Sequence, residues 1–194
     1  MPLPIRVFIR VQCAGLLWLV AGAAAALQPA PPVIPFTAAG TLQYAFTAED
    51  HADEMIIAAV DTAKHQILMQ AYSLTHRRIA DALVRAHNRG VEVAVIADKE
   101  QSDAYPALPR DVARTGVPLL IDAQHAAAHN KVIVIDAGHA DCAVVTGSFN
   151  FTYAAQHRNA ENALILRGNP PLCEAYLKNW RHHQAHSHAL SKSK

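Results

Sequence analysis

The sequence predicts an α/β fold, in which a mixed β-sheet is flanked by helices on both faces. Two observations predict it. From Thr41 onward, short β-rich runs alternate with longer stretches of helical periodicity, and apolar residues recur at spacings of three and four within those stretches. Alternation of this kind is typical of a sheet covered by helices, because each helix turns one apolar face toward the sheet. A chain of 194 residues has room for one such domain with a sizeable core.

The first half of the domain is expected to contain three strands and two helices. Residues 42–46, 66–72 and 91–97 are rich in β-branched, aromatic and other apolar side chains and are predicted as strands. The intervening stretches, 48–64 and 76–89, are predicted as helices. Gly90 follows the second helix and is expected to end it, because glycine readily adopts the conformation that closes a helix.

The second half repeats the alternation. A helix at 110–114 and a strand at 117–122 are expected before a loop of small residues that runs through Ala128. Three further strands are predicted at 131–136, 143–146 and 163–167. A closing helix is predicted at 174–186, and its histidines, together with His188, are interpreted as a solvated face rather than a metal site.

The first 26 residues are expected to be a secretory signal peptide. Arg6 and Arg10 precede an apolar run that ends on small residues, with Ala26 as the expected cleavage position. An uncleaved membrane anchor is the alternative. The remaining organisation is predicted as a Pro-rich linker at 27–40, the catalytic domain at 41–188 and a disordered tail at 189–194. A signal peptide implies an exported protein that is periplasmic or secreted.

The charge balance argues against a strongly basic nucleic-acid surface. The leader contains two of the 17 Lys and Arg residues, which leaves 15 against 16 Asp and Glu. The mature chain therefore has a net charge of −1 with neutral histidines. Four arginines on the second predicted helix either form a local basic stripe or only keep that helix soluble: Arg77, Arg78, Arg85 and Arg89.

Two cysteines, Cys142 and Cys173, lie outside the leader. In an oxidising compartment they either form one disulfide or remain as separate thiols, and the sequence leaves both possibilities open. Neither lies in a motif typical of a cysteine nucleophile.

The residues that indicate chemistry begin with His129 and Lys131. On an extended strand these two side chains project to the same face, so a phosphate above them would meet a nitrogen nucleophile and a fixed positive charge. The sequence Gly-Ser-Phe-Asn at 147–150 follows the next apolar strand. If the two strands are neighbours, the Ser148 hydroxyl and the Asn150 amide can reach the same phosphate.

This pattern, His-x-Lys-x4-Asp followed by Gly-Ser-x-Asn, resembles the signature of the phospholipase D superfamily. Within this superfamily the chain resembles the small bacterial endonucleases of the Nuc type, which also have a leader and a single copy of the motif. The similarity extends over about residues 41–180 and includes Ala-Tyr-Ser at 71–73 and Ala-Glu-Asn at 160–162. It implies the phospholipase D-like fold.

The resemblance also implies an activity. The expected protein is a metal-independent phosphodiesterase without cofactor, in which His129 forms a phosphohistidine and a homodimer completes one shared active site. DNA, and RNA as a further substrate, would be cleaved without sequence preference. The alternative is a secreted phospholipase D that hydrolyses phospholipid headgroups. A catalytically idle nucleic-acid-binding protein is a third hypothesis, against which the intact motif argues.

The resemblance assigns a role to each motif residue. His129, Lys131, Asn150 and Glu161 are the predicted catalytic residues, with Glu161 orienting His129. The nonbridging phosphate oxygens would be bound by Lys131, Ser148 and Asn150. Two residues are given structural roles: Gly147, and Asp136, which by strand parity faces away from Lys131.

Overall fold

The computed structural model describes residues 35, 37–101 and 108–190, and within them eight strands form one mixed sheet. Strand β5 lies near its centre, between β6 and β2, and the order across the sheet is β1-β7-β6-β5-β2-β3-β4-β8. The strand bounds are β1 Thr41–Phe46, β2 Gln66–Ala71, β3 Glu92–Asp98, β4 Leu119–Asp122, β5 Lys131–Ile135, β6 Ala143–Gly147, β7 Asn162–Arg167 and β8 His188–Ala189.

Three neighbouring strands, β2, β3 and β4, are parallel, and every other pairing in this sheet is antiparallel. The sheet is therefore mixed, as predicted. The described helices have the bounds α1 Ala52–Asp61, α2 Arg77–Asn88, α3 Leu108–Arg114, α4 Tyr153–His157 and α5 Pro170–His186.

Strand β5 shows how the two faces of the sheet are covered. Ile133 and Ile135 point into the main core, which contains the buried faces of α1 and α2. Val132 and Val134 point to the opposite face, where they pack with Trp180 of α5. The Trp180 indole also donates a hydrogen bond of 3.1 Å to the backbone carbonyl of Met69. Helices lie on both faces, so the predicted fold class is confirmed.

The observed elements differ from the predicted ones mainly at helix ends. Helix α1 begins at Ala52, four residues later than predicted, because residues 47–50 form a turn after β1. In that turn the Phe46 N–H donates to the Asp50 carboxylate at 2.9 Å. Helix α5 begins four residues early, because the Asn169 side chain accepts from the Leu172 N–H and caps its first turn.

Two elements, α4 and β8, were not predicted. Strand β8 includes Ala189, which the sequence placed in the disordered tail, and its partner is β4. The predicted leader and most of the linker lie outside the described residues, so these assignments stay predictions. Among the described helices, none combines the length and apolar content needed to cross a lipid bilayer.

Asp136 follows the end of β5 and holds the neighbouring turn. Its carboxylate accepts hydrogen bonds from the backbone N–H groups of Lys64, His65 and Gln66, at 2.9, 2.7 and 2.8 Å. Its backbone has a φ of 50°, a left-handed conformation that Asp tolerates better than most residues. Asp136 therefore closes the turn before β2 at the end of β5 opposite to His129.

Cys142 and Cys173 form a disulfide, which settles the question that the sequence left open. Both are buried, and the bond joins the start of β6 to the first turns of α5. It therefore fixes α5 to the sheet at one end, while Trp180 packs on the sheet two turns later.

Replacing both cysteines by alanine, Cys142→Ala with Cys173→Ala, should lower the free energy of unfolding by about 3–4 kcal/mol. The reason is that a loop closed across 31 residues no longer restricts the unfolded chain. Urea unfolding of the oxidised wild type and of the double variant measures the difference. The reduced wild type should unfold at nearly the same urea concentration as the double variant. If complete reduction leaves the urea midpoint of the wild type unchanged, the prediction is contradicted.

Candidate active site

The predicted site residues come together at one edge of the sheet. Strands β5, β6 and β7 are neighbours and antiparallel, so the start of β5, the end of β6 and the start of β7 lie side by side. His129 precedes β5, the segment 147–150 ends β6, and Glu161 precedes β7. The strand pairing thus collects residues that are up to 32 positions apart in the sequence.

His129 and Lys131 are held next to the ring of Tyr72. The His129 ring centroid lies 4.3 Å from that of Tyr72, and the Lys131 Nζ lies 4.8 Å from the Tyr72 centroid. The Lys131 Nζ also donates to the His129 backbone carbonyl at 2.7 Å. His129 is exposed whereas Lys131 is buried, so the cleft presents an imidazole above an ammonium group. Sequence reasoning gave Tyr72 no role, because a ring contact of this kind requires tertiary structure.

The ammonium group of Lys131 has an unusual electrostatic environment. Burial lowers the pKa of Lys131, and the negative charge of the Glu161 carboxylate partly opposes this shift. The charge is not neutralised by a salt bridge with any carboxylate in the part of the chain that the structure describes. A buried cation without a counterion favours the binding of an anion.

Ser148 and Glu161 are partners of one another. The Ser148 hydroxyl donates to Glu161 Oε2 at 2.6 Å and accepts from the Asn162 N–H at 3.0 Å. The other Glu161 oxygen accepts from the Asn159 side chain at 3.0 Å. Among the hydrogen bonds of the described residues, none joins Glu161 to His129, so the predicted orienting role stays a prediction. The phosphate contact of Ser148 also stays a prediction, because the Ser148 hydroxyl donates its hydrogen bond to Glu161.

Gly147 lines the cleft next to Lys131, and Asn150 lies three residues further along the same segment. A side chain at Gly147, whose φ is 144°, would place its Cβ 2.3 Å from the Asn162 carbonyl oxygen, so glycine is required there. The Asn150 Oδ1 is buried and has no hydrogen-bond partner within the described residues. The cleft has a volume of about 360 Å³ and is also lined by Tyr176 and Asn179 of α5.

The arginines of α2 do not form a basic stripe. Each guanidinium contacts a carboxylate of another helix, at distances of 2.9 to 3.5 Å for Arg77, Arg78 and Arg85 and of 3.7 Å for Arg89. The basic-stripe hypothesis is therefore wrong, because these charges are compensated. The pairs are Arg77 with Asp111, Arg78 with Asp53 and Glu54, and both Arg85 and Arg89 with Asp61.

The interpretation of the closing-helix histidines as a solvated face is wrong for two of them. His183 is buried, and its Nδ1 lies 2.7 Å from Asp122 Oδ2. His186 Nε2 and His125 Nδ1 approach the same oxygen, at 3.2 and 3.1 Å. Burial opposes ionisation of Asp122, but hydrogen bonds from these histidines hold the pKa of its carboxyl well below the ordinary range. The sequence missed this carboxylate because it lies 61 positions before His183.

Comparison with known proteins agrees with this geometry. A family model described as cardiolipin synthase, PLD-like domain, matches residues 56–183. A phospholipase D of Rickettsia conorii is 38% identical over 140 residues, which are 72% of this chain and 68% of that protein.

Two solved structures are also similar. The phospholipase D family member Nuc of Salmonella typhimurium is 34% identical, with a TM-score of 0.74, over 79% of this chain and 100% of the other. NucT from Helicobacter pylori shares the fold, with a TM-score of 0.68 over 77% of this chain and 99% of the other. Its sequence identity is 18%. With His129 just before β5, Lys131 at its start and the Gly-Ser-Phe-Asn segment at the end of β6, these similarities show that the chain belongs to the phospholipase D superfamily and is a hydrolase of phosphodiesters.

Proposed function

We propose that this protein is a metal-independent, non-specific endonuclease that cleaves DNA, and RNA as a further substrate, through a phosphohistidine on His129. The observation that carries the proposal is the pair of His129 and Lys131 in an open cleft. The buried ammonium lacks a carboxylate partner among the described residues and favours an anion directly below an exposed nitrogen nucleophile. A phosphodiester supplies both that anion and the electrophilic phosphorus.

The reaction proceeds in two displacements. A neutral His129 nitrogen attacks phosphorus, the bond to the leaving oxygen breaks, and an acid protonates that oxygen. Water then attacks the phosphohistidine and gives its proton to the group that acted as the acid, which returns His129 to its free state. Lys131 and Asn150 stabilise the nonbridging oxygens, so a metal ion is not required for either displacement.

A second copy of the chain supplies the acid. The motif occurs once in the sequence, and the scheme requires a protonated imidazole on the side of phosphorus opposite to the nucleophile. A two-fold axis through the cleft would bring His129 of each subunit into one site, in opposite roles. We therefore propose an obligate homodimer in which Lys131 from both subunits binds the phosphate.

An exposed aromatic residue on the segment that follows Asn150 favours a nucleic-acid substrate. Tyr153, three residues after Asn150, is 56% exposed at the start of α4. The Arg158 guanidinium lies 6.0 Å from its ring centroid. An exposed aromatic ring beside a guanidinium suits base stacking and backbone contact without sequence preference. The similarity to Nuc supports the same substrate class.

The alternative function is a phospholipase D that acts on phospholipid headgroups. It is supported by the similarity to the phospholipase D of Rickettsia conorii. It is also supported by an exposed apolar row on edge strand β1, whose Leu42, Tyr44 and Phe46 are 55%, 63% and 56% exposed. Phe46 pairs with Asn162 beside the cleft, where such a row would meet a lipid surface.

We also propose that the protein is exported. The apolar leader supports this localisation, and so does the Cys142–Cys173 disulfide, because disulfides persist in oxidising compartments such as the periplasm and the extracellular space.

Supercoiled plasmid should be degraded by the purified full chain in excess EDTA, and His129→Ala should reduce the rate by at least about 10³-fold. The reason is that removing the nucleophile leaves only phosphate binding. A matched control is His139→Ala, which removes an exposed histidine beyond the other end of β5. Circular dichroism verifies that each protein stays folded in EDTA. Cleavage that requires added magnesium would contradict the mechanism.

The same preparations should leave phosphatidylcholine vesicles unhydrolysed if nucleic acid is the substrate. Intact plasmid together with His129-dependent release of choline would instead establish the phospholipase alternative.

The rate of cleavage should depend on pH as a bell-shaped curve, because one His129 must start neutral and the other protonated. On the alkaline side, loss of the Lys131 charge adds to the decline. Burial lowers the pKa of Lys131 from 10.5, so raising the pH removes its positive charge earlier than from a free lysine. Steady-state kcat/KM measured from about pH 5 to 10 tests this. A flat profile across neutral pH would refute the two-histidine scheme.

Mixing subunits should reveal the shared site. In a population exchanged to equal amounts of wild type and His129→Ala, only dimers with two intact histidines are active. Activity should therefore fall to about a quarter of that of the same total amount of wild type, rather than to about a half. Plasmid cleavage after co-expression measures the ratio. A value near one half would show that each chain acts alone.

A further inference from the structure

We propose that Asp122, His125, His183 and His186 form a structural zinc site that fastens α5 to strand β4 and to the loop before His129. The four side chains come from three parts of the fold: Asp122 ends β4, His125 lies in the loop between β4 and β5, and the other two lie in the last turns of α5. His183 and His186 are three positions apart, so they project from one face of the helix. This inference goes beyond the proposed activity and does not depend on it.

The distances suit a tetrahedral ion. The donor atoms of the four residues all lie within 4.8 Å of one another. Asp122 Oδ2 lies 2.7, 3.1 and 3.2 Å from nitrogens of His183, His125 and His186. Ligand atoms on a zinc ion with bonds of about 2.0–2.1 Å are about 3.3 Å apart, so small rotations of these side chains would admit the ion.

The chemistry of the donors also suits zinc. Three imidazoles and one carboxylate are nitrogen and oxygen ligands that Zn²⁺ accepts readily, and together they fill its four positions. A calcium or magnesium site would instead be built mainly of oxygen ligands. Because all four positions are occupied by protein atoms, the ion would have a structural role and would supply no water for catalysis.

The burial of the cluster indicates that it holds the fold together. The Asp122 side chain is fully buried and that of His183 is 11% exposed, whereas His125 remains 43% exposed. The site therefore has a closed interior and one accessible side, through which an ion can enter. Near it, the short strand β8 pairs with β4 at residues next to Asp122, and this pairing extends the sheet by only two residues.

The site also reaches the loop that positions the nucleophile. His125 lies four residues before His129, and its backbone carbonyl accepts from the Lys99 Nζ at 3.3 Å. Further along the loop, the Ala128 N–H donates to Asp98 Oδ2 at 2.8 Å. A zinc ion on His125 would add a further attachment of this loop to the end of the sheet.

Zinc binding is tested on untagged full chain that is stripped with a chelator and then dialysed. Calorimetric titration with zinc chloride should give one ion per chain, and Co²⁺ should give the visible absorption of a four-coordinate site. Zinc should also raise the Tm of the stripped protein, because an ion that binds the folded state stabilises it. The assay contains no substrate, so its result is independent of the proposed nuclease activity.

Variants locate the ion. His125→Ala, at the exposed position, should weaken zinc binding by at least about tenfold, and His125→Ala with His186→Ala should abolish both binding and the rise in Tm. His182→Ala is the matched control, because this exposed histidine is adjacent to His183 but outside the cluster. His129→Ala should bind zinc like wild type.

Three results would overturn the proposal. They are absence of zinc binding by the wild type, equal binding by the His125→Ala and His182→Ala variants, and loss of binding in His129→Ala, which would place the ion in the active site. In the first case the cluster is a hydrogen-bonded network of one carboxylate and three imidazoles.

Discussion

The antiparallel pairing of β5, β6 and β7 is the constraint on which the candidate active site depends. It brings the start of β5, the end of β6 and the start of β7 to one edge of the sheet. The pairing at that edge requires glycine at 147, because the Asn162 carbonyl occupies the space that a Cβ would need. At the opposite end of β5, Asp136 binds three backbone N–H groups and holds the turn before β2. The position of the His129 and Lys131 pair therefore follows from the hydrogen bonds of the sheet.

Charge is distributed in a way that directs an anion to this edge. The arginines of α2 contact carboxylates, so their positive charges are compensated on the outer surface of that helix. Lys131 is different, because it is buried and forms no salt bridge with a described carboxylate. A protein of nearly neutral overall charge can thus bind a phosphodiester locally, through one desolvated cation, without a broad basic surface.

Helix α5 covers the face of the sheet opposite to α1 and α2 and is attached to it along its whole length. The disulfide from Cys173 holds its first turns, and Trp180 packs and donates a hydrogen bond in the middle. His183 and His186 contact Asp122 at its end. Because Tyr176 and Asn179 line the cleft, these attachments also fix one wall of the active site.

The sequence by itself determined the fold class, most strands and the side-by-side placement of His129 and Lys131 in the candidate active site. Alternation of side chains along β5 placed Ile133 in one core and Val134 in the other, and placed His129 beside Lys131, because a strand has a period of two wherever it lies. The resemblance of the motif to the phospholipase D signature then implied a phosphodiesterase. These features depend on residues that are close in the sequence, where local geometry is nearly fixed.

Only the tertiary structure decided which distant side chains meet. The pairing of Cys142 with Cys173 and the contact of Asp122 with His183 join residues 31 and 61 positions apart. The pairing of the α2 arginines with carboxylates of α1 and α3 was equally invisible in the sequence, as was the hydrogen bond from Ser148 to Glu161. The ends of α1 and α5 also shifted, because a turn and a side-chain cap outweighed apolar periodicity. Such contacts depend on how the elements pack, and periodicity within a single element contains no information about its partner.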